Sequence, residues 1–428
     1  MATLLLENIA TLVTVRAPES SGARAPVMPH RAGSEMADIG VLHGVDVAID
    51  GESIEWIGPH GERSFKGVER MDCGGRTVLP GFVDSHTHMV FAGDRSDEFA
   101  RRLRGASYQE IAAAGGGILS TVRAVREASL EDVVRRGRAL VGSAFRHGST
   151  TIEVKSGYGL DTASEIKLLE AIRAIDEREP AELVATFLGA HDMPPEHRDD
   201  REAYVREIIA EMIPRVASDR LAVFCDVFSD TGYFTVEESE RIYSAALEHG
   251  LRIKVHADEL SSFGGAEMAA RVGAISADHL LQISDEGIAR MRESGVVATL
   301  LPGTAFFLNL PYAPARRMIG EGMAVALATD CNPGSNMCEN MQMTLALACM
   351  GMRMTVEEAI TASTLNGAAA LGMSDRLGSI EVGKQADMAV FDVPDYPAIV
   401  YHYGVNHVSA VVKKGAYFPV GAALAAGT

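Results

Sequence analysis

The stretch TVLPGFVDSHTHMV, residues 77–90, ends an apolar run in two histidines, His86 and His88. Along a strand, side chains at i and i+2 share one face, so the two imidazoles point the same way, with Asp84 behind them. Two imidazoles so placed can share one metal ion. A hydrogen-bonded structural pair has the same spacing, and the motif alone does not separate the two readings. What separates them is where the other histidines fall.

From about residue 78 to about residue 372, apolar runs alternate with capped segments of helical period. After TVLPGFVDSH come STTIEVKSG, LVATFLGAH, LAVFCDVFS, RIKVHADE, AISADHL, VVATLLPG and MAVALATD, which makes eight strands. Between them lie helices with readable ends. One is opened by Ser129 with Asp132, closed by Gly148 and striped by Val133, Val134, Leu140, Val141 and Ala144. A second is expected to be capped by Thr162 with Glu165, and others are TVEESERIYSAALEHG and SDEGIARMRESG. Eight strands apolar enough to be buried on both faces favour a closed (β/α)8 barrel over an open sheet.

The flanks break this rhythm with short β-like runs, LLLENIATLVTV and VDVAIDGESIEWIG before the barrel, GSIEVGKQADMAVFD and HVSAVVKKG after it. The fold expected is α/β: a distorted TIM barrel over 78–376, plus one small composite β-sandwich domain built from 1–77 and 377–428. Residues 16–38, rich in Pro, Ser, Gly and Arg, read as a loose surface loop.

A chain of 428 residues with 47% apolar content and no long apolar run is expected to be soluble, without a membrane partner. Its start, MATLLLENIATLVTV, lacks the basic segment of a secretory signal. Five cysteines without C-x-x-C spacing argue against a disulfide framework or a thiolate zinc site, and fit a reducing cytoplasm. With 39 basic and 58 acidic residues, the net charge of −19 repels polyanions, so a small molecule rather than nucleic acid is the expected partner.

In a barrel of this kind, catalytic groups gather at the C-terminal ends of the strands. His256 ends the fifth strand, with Glu259 three residues on; His279 ends the sixth and Asp330 the eighth; His191 ends the third, and Tyr158 follows the second. Five of thirteen histidines thus fall at strand ends, a concentration that scattered structural histidines seldom produce. Three imidazoles and a carboxylate suit Zn²⁺ or Fe²⁺ and can activate a water.

The P-G-F-V-D-x-H-x-H opening, His256, His279, Asp330 and the G-x-I-x-x-G-x-x-A-D run at 378–387 resemble the amidohydrolase superfamily. Further stretches (GGGILSTVRAVREAS, TTIEVKSGYGL, FLGAH, KVHADE, SADHL, LPGTAFFL, ATDCNPGS and YHYGVNHV) resemble its branch that opens the imidazolone ring in histidine degradation, over about residues 76–415. The resemblance implies hydrolysis of 4-imidazolone-5-propanoate to N-formimidoyl-L-glutamate in the cytoplasm, by a homodimer holding one Zn²⁺ or Fe³⁺ per subunit. It implies His86, His88, His256 and Asp330 as ligands, and His279 and Glu259 as catalytic groups, with the division of general-base work between those two left open. It places the substrate against Arg95, Tyr158, His191, Glu259, Asn332, Gly334 and Ser335, with Arg95 gripping the propanoate and the loop amides and hydroxyls after Asp330 taking the new carboxylate. The alternative for Arg95 is a solvated surface arginine, the reading given to Arg101, Arg102 and Arg104.

Other features carry less. Gly115–Gly117 lacks the flanking pattern of a phosphate loop and reads as a turn over the site mouth. Lys155 lies on the second strand, not the fourth where some relatives carry a metal-bridging carboxylated lysine, so an ordinary lysine and a single metal are expected. His402 and His407 read as structural or interface residues. A nucleobase or aminoimidazole deaminase would share the metal motif but needs no carboxylate clamp, and an inactive scaffold would usually have lost ligands.

Overall fold

The computed structural model describes residues 2–16, 28–106, 110 and 115–420. Five strands come first: β1 (Leu4–Val13), β2 (Val41–Asp50), β3 (Ser53–Pro59), β4 (Glu69–Asp72) and β5 (Thr77–Pro80). Eight follow with helices between them: β6 (Phe82–Asp84), β7 (Ser149–Lys155), β8 (Glu182–Ala190), β9 (Phe224–Ser229), β10 (Arg252–Ala257), β11 (Ser276–His279), β12 (Val297–Leu300) and β13 (Val325–Leu327). The last three are β14 (Met388–Phe391), β15 (Val408–Lys413) and β16 (Ala416–Pro419).

Strands β6 to β13 pair in sequence order, all parallel. The seam between first and last is closed just past their ends, where the Asp330 amide donates to the His86 carbonyl and the His88 amide to the Cys331 carbonyl, both at 2.9 Å. Asp84 reinforces the seam by accepting from the Thr329 amide at 2.9 Å and its hydroxyl at 2.6 Å. Asp84 therefore holds the barrel shut and grips neither imidazole ring. All seven residues of β7 and all six of β9 are buried, the signature of parallel strands covered on both faces.

The helices start and stop largely where their caps place them. In Leu130–Arg146 the Ser129 side chain accepts from the Asp132 amide, Gly148 follows at φ +99°, and Val133, Val134, Val141 and Ala144 are buried with Leu140 half-buried. Each such aliphatic side chain contributes roughly 1.5–3 kcal/mol when fully removed from water. Val236–Glu248 carries a complete capping box between Thr235 and Glu238. The helix Thr162–Asp176 differs from expectation. Asp161 caps it, and Glu165 turns back instead to accept from the amides of Gly157, Gly159 and Leu160. Burial decides this, because Glu165 has no exposed surface and three otherwise orphaned amides beside it.

Two further expectations are corrected. The run Thr77–His86 is not one strand: β5 joins the end sheet against β1 and β14, and only β6 enters the barrel. Gly81 is the bend, and a side chain there would meet Thr150 at 2.3 Å, so glycine lets the two sheets approach. The segment 16–38 is not a loose loop in its described part, 16 and 28–38; residues 17–27 lie outside the described residues. Met36 is buried, the Arg31 amide donates to Asn366, and Thr361 donates to the Met36 carbonyl, so apolar burial and backbone pairing anchor it.

Both chain ends form one mixed sheet, in the order β16-β15-β14-β5-β1-β2-β3 with β4 beside β1. It curls so that residues from its two halves, among them Leu6, Val47, Met388 and Val412, share a single apolar cluster. The two layers of the expected sandwich are thus halves of one continuous sheet. His407 lies at this periphery, its Nε2 donating to the His402 carbonyl at 2.7 Å.

Candidate active site

Five side chains converge at the C-terminal mouth of the barrel. His86 Nε2 lies 3.3 Å from His88 Nε2, and Asp330 Oδ1 lies 3.7 Å from the first and 3.6 Å from the second. The rings of His256 and His279 stand 4.5 and 5.3 Å from that of His86. His86, His256 and His279 make a second possible ligand group sharing His86 with the first. All five residues are buried. His279 and Asp330 adopt left-handed backbone conformations, φ +77° and +52°, uncommon for residues with a side chain and concentrated here where strands end.

Two carboxylates stand behind the imidazoles. Asp278 Oδ2 lies 2.6 Å from His86 Nδ1, so that ring gives its Nδ1 proton to the carboxylate and keeps Nε2 for the site, and Asp226 Oδ2 lies 2.9 Å from His256 Nδ1 as a close ion-pair contact. Burial, joined by the charge of Lys155 and neighbouring imidazoles, holds His86 well below the usual histidine range and therefore neutral. Burial opposes ionisation of Asp226, but His256 and Lys155 outweigh it and keep that carboxylate charged. Asp330, raised by burial to about 6, accepts from the Thr304 hydroxyl and, at 3.0 Å, from Asn332 Nδ2.

His279 and Glu259 stand together, Nδ1 to Oε2 at 3.6 Å. Burial first, and then the charge of Asp330, push Glu259 up to about 8, whereas burial and the charge of His256 hold His279 low. The free protein thus pairs a protonated carboxyl with a neutral imidazole. Glu259 follows Asp258, whose carboxylate accepts from the amides of Phe263, Gly264, Gly265 and Ala266 and so pins the loop.

The cavity above these groups has a volume of about 660 Å³, the size of a small-molecule site, and is lined by Arg95, Tyr158, His191, Glu259, His279, Asn332, Gly334 and Ser335 among others. Tyr158 sits in the loop wrapped round Glu165. His191 bonds the Gly157 carbonyl through Nδ1 at 2.9 Å and stacks on His88, rings 5.2 Å apart. Gly157 has φ +104°, and a Cβ there would meet His191 Nδ1 at 2.9 Å. Arg95 is no solvated surface arginine: its Nε and Nη2 both reach Glu98 Oε2, at 3.0 and 2.9 Å, and Glu98 in turn receives Ser120 and the amide of Gly117 in the expected turn. The loop after Asp330 departs from expectation. The amides of Gly334 and Ser335 both donate to Asn332 Oδ1 at 2.8 Å, so in the free protein these donors are already engaged.

Sequence reasoning missed several groups. Asp226 and Asp278 are carboxylates inside strands whose every residue is buried, a signal that was available. Arg102, read as solvated, lines the cavity with its guanidinium 4.8 Å from the Phe307 ring centroid. Arg136 lines it too, 4.4 Å over Phe91, with a buried Nε that has no hydrogen-bond partner among the described residues. Lys155, expected to be ordinary, is an ion-paired residue with no exposed surface.

A parallel eight-stranded barrel that gathers imidazoles and carboxylates at its strand ends is an amidohydrolase architecture, and residues 77–417 match the Amidohydrolase family, to which the chain belongs. Within it the chain belongs with the imidazolonepropionases. It is 47% identical over 421 residues to the imidazolonepropionase of Geobacillus thermodenitrificans (strain NG80-2), covering 97% of each. It is 51% identical over 393 residues to that of Symbiobacterium thermophilum, covering 90% of this chain and 92% of the relative. Among solved structures, a zinc-bound adenosine deaminase from Xanthomonas campestris superposes with TM-score 0.71 at 19% identity, over 97% of this chain and 92% of that one. A triazine hydrolase from Arthrobacter aurescens gives TM-score 0.75 at 18% identity, over 97% and 94%. At such identities these two share the fold.

Proposed function

We propose that the chain hydrolyses the ring amide of 4-imidazolone-5-propanoate to N-formimidoyl-L-glutamate in L-histidine degradation, the activity its relatives are named for. The observation that carries this is the joining, in one cavity, of a ligand cage with an arginine able to hold a carboxylate. His86, His88, His256 and Asp330 would hold one Zn²⁺ or Fe³⁺. The donors fit: ligand atoms about 2.0–2.2 Å from a tetrahedral ion stand roughly 3.3–3.6 Å apart. The three separations are 3.3, 3.6 and 3.7 Å, and His256 Nε2 is buried with no hydrogen-bond partner among the described residues. When bound, the ion lowers the pKa of a water and polarises the ring carbonyl.

The chain's own residues do the rest. Neutral His279 accepts the proton of the attacking water, and protonated Glu259 beside it supplies one to the departing ring nitrogen. Arg95 draws in the propanoate and fixes the ring against Tyr158, whose phenol burial keeps un-ionised as a donor. Five unpaired cysteines fit the cytoplasm, and no helix among the described residues is long and apolar enough to cross a membrane. A homodimer belongs to the same proposal, read by light scattering during size exclusion.

Product analysis by mass spectrometry, with a parallel ammonia assay, tests the reading. N-formimidoyl-L-glutamate without free ammonia is expected, and ammonia as the primary product would make the protein a deaminase instead.

A further inference from the structure

Beneath the ligand cage lies a set of charges with no exposed surface: Glu153 and Lys155 on β7, Asp226 on β9, Lys254 on β10 and Asp278 on β11. In barrels of this class, interior side chains from alternate strands form common layers. Lys155, Asp226 and Asp278 come from the second, fourth and sixth barrel strands and meet in one layer. Lys155 Nζ lies 2.6 Å from Glu153 Oε1, 2.8 Å from Asp226 Oδ2 and 3.7 Å from Asp278 Oδ2. Those last two oxygen atoms are the ones that reach His256 Nδ1 and His86 Nδ1. The rings supported from below come from the ends of the fifth and first strands.

We propose that Lys155 is a positioning residue for the metal site, its ammonium tying Asp226 and Asp278 into one frame that sets the orientation of His256 and His86. This rests on the metal reading above and deepens it. Three buried carboxylates face two buried ammonium groups, and Lys254 is largely spent elsewhere, donating to the Ser85 carbonyl at 2.9 Å and standing 3.5 Å from Asp278. Removing Lys155 leaves the His256 imidazole as the one remaining Lys, Arg or His neighbour of Asp226 within 4 Å among the described residues, so the carboxylate turns toward the imidazole and carries the ring with it. The same pairing disfavours a metal-bridging carboxylated lysine, because carboxylation needs a neutral amine and, despite burial, the three carboxylates favour the protonated form of this one.

The test measures zinc affinity of the metal-stripped protein by chelator competition, together with the visible spectrum of its Co²⁺ form. The variants are Lys155→Met and Glu153→Gln/Lys155→Met, the second removing one buried charge of each sign. Folding is checked by circular dichroism. Wild type is titrated first: if it binds no zinc, the metal reading fails before the proposal is reached. Given wild-type binding, a folded variant is expected to bind zinc about 10–100-fold more weakly, with an altered Co²⁺ spectrum. Adding Asp226→Asn to Lys155→Met should lower affinity little further, since Asp226 acts on His256 through the frame that Lys155 already holds. A folded variant with affinity within threefold of wild type and an unchanged spectrum overturns the proposal. Loss of folding in both variants overturns it as well, because Lys155 would then serve the barrel and not the site.

Discussion

Replacing Gly334 by alanine perturbs the carboxylate clamp without touching its charge. A Cβ at this position would stand 2.3 Å from Arg95 Nη1 and 3.1 Å from its Cζ, where ordinary contact begins at 3.4 Å. The guanidinium must therefore retreat by about 1 Å, stretching its paired contacts of 2.9 and 3.0 Å to Glu98. The obstacle is the far end of a flexible side chain, so the fold should barely notice, with a stability change within roughly 0.5 kcal/mol. A charge-assisted hydrogen bond is worth about 1.5–3 kcal/mol, and losing its alignment raises KM for the propanoate substrate by about tenfold or more. The assay is steady-state kinetics on metal-loaded Gly334→Ala, with metal content and Tm measured on the same sample. Arg95→Ala is the companion, expected to raise KM further and leave metal content alone. An unchanged KM in both variants would refute the clamp, and loss of metal in Arg95→Ala would show that Arg95 supports the ion instead.

Three other outcomes follow from the same geometry. His279→Ala and Glu259→Gln should each lower kcat by about 10²–10⁴ while keeping the metal content of wild type, and loss of metal in His279→Ala would place His279 among the ligands. Burial would raise Glu182, but the Arg376 hydrogen bond and the charge of Lys413 bring it down to about 2. This depressed carboxylate stabilises the fold fully above its unfolded value of 4.5 and progressively less as pH falls toward 2. Chemical denaturation of wild type and Glu182→Gln should therefore converge across that window, from a gap of about 1–2 kcal/mol once solvent screening of the half-exposed Arg376 is allowed for. Asp84→Ala leaves the Thr329 amide unpaired at the barrel seam and should cost about 1–3 kcal/mol in urea denaturation; an unchanged midpoint would mean the seam closes without it.

The barrel was legible because its eight buried strands alternate with capped helices and its chemistry stands at their ends, as His256 in RIKVHADE and His279 in AISADHL show. Less was visible wherever an outcome depends on two segments meeting. Nothing in TVLPGFVDSH says that Thr77–Pro80 will find β14, more than 300 residues away, a better partner than the barrel. Glu165 looks like a capping residue until the loop carrying Tyr158 folds over it. Asp226 and Asp278 were the most informative omission: a carboxylate inside a wholly buried strand must have a cationic or hydrogen-bonding partner. Only the assembled barrel shows that those partners are Lys155 and the ligand imidazoles.

The central claim is that the imidazole-carboxylate cage and its arginine-lined cavity together open the imidazolone ring. The ultraviolet absorbance of freshly generated 4-imidazolone-5-propanoate tests it most directly, followed with protein as purified, after chelation, and after one equivalent of zinc or iron is restored. The account predicts loss of absorbance that stops on chelation and returns with the metal. Persistent absorbance with metal-replete, folded protein would contradict it.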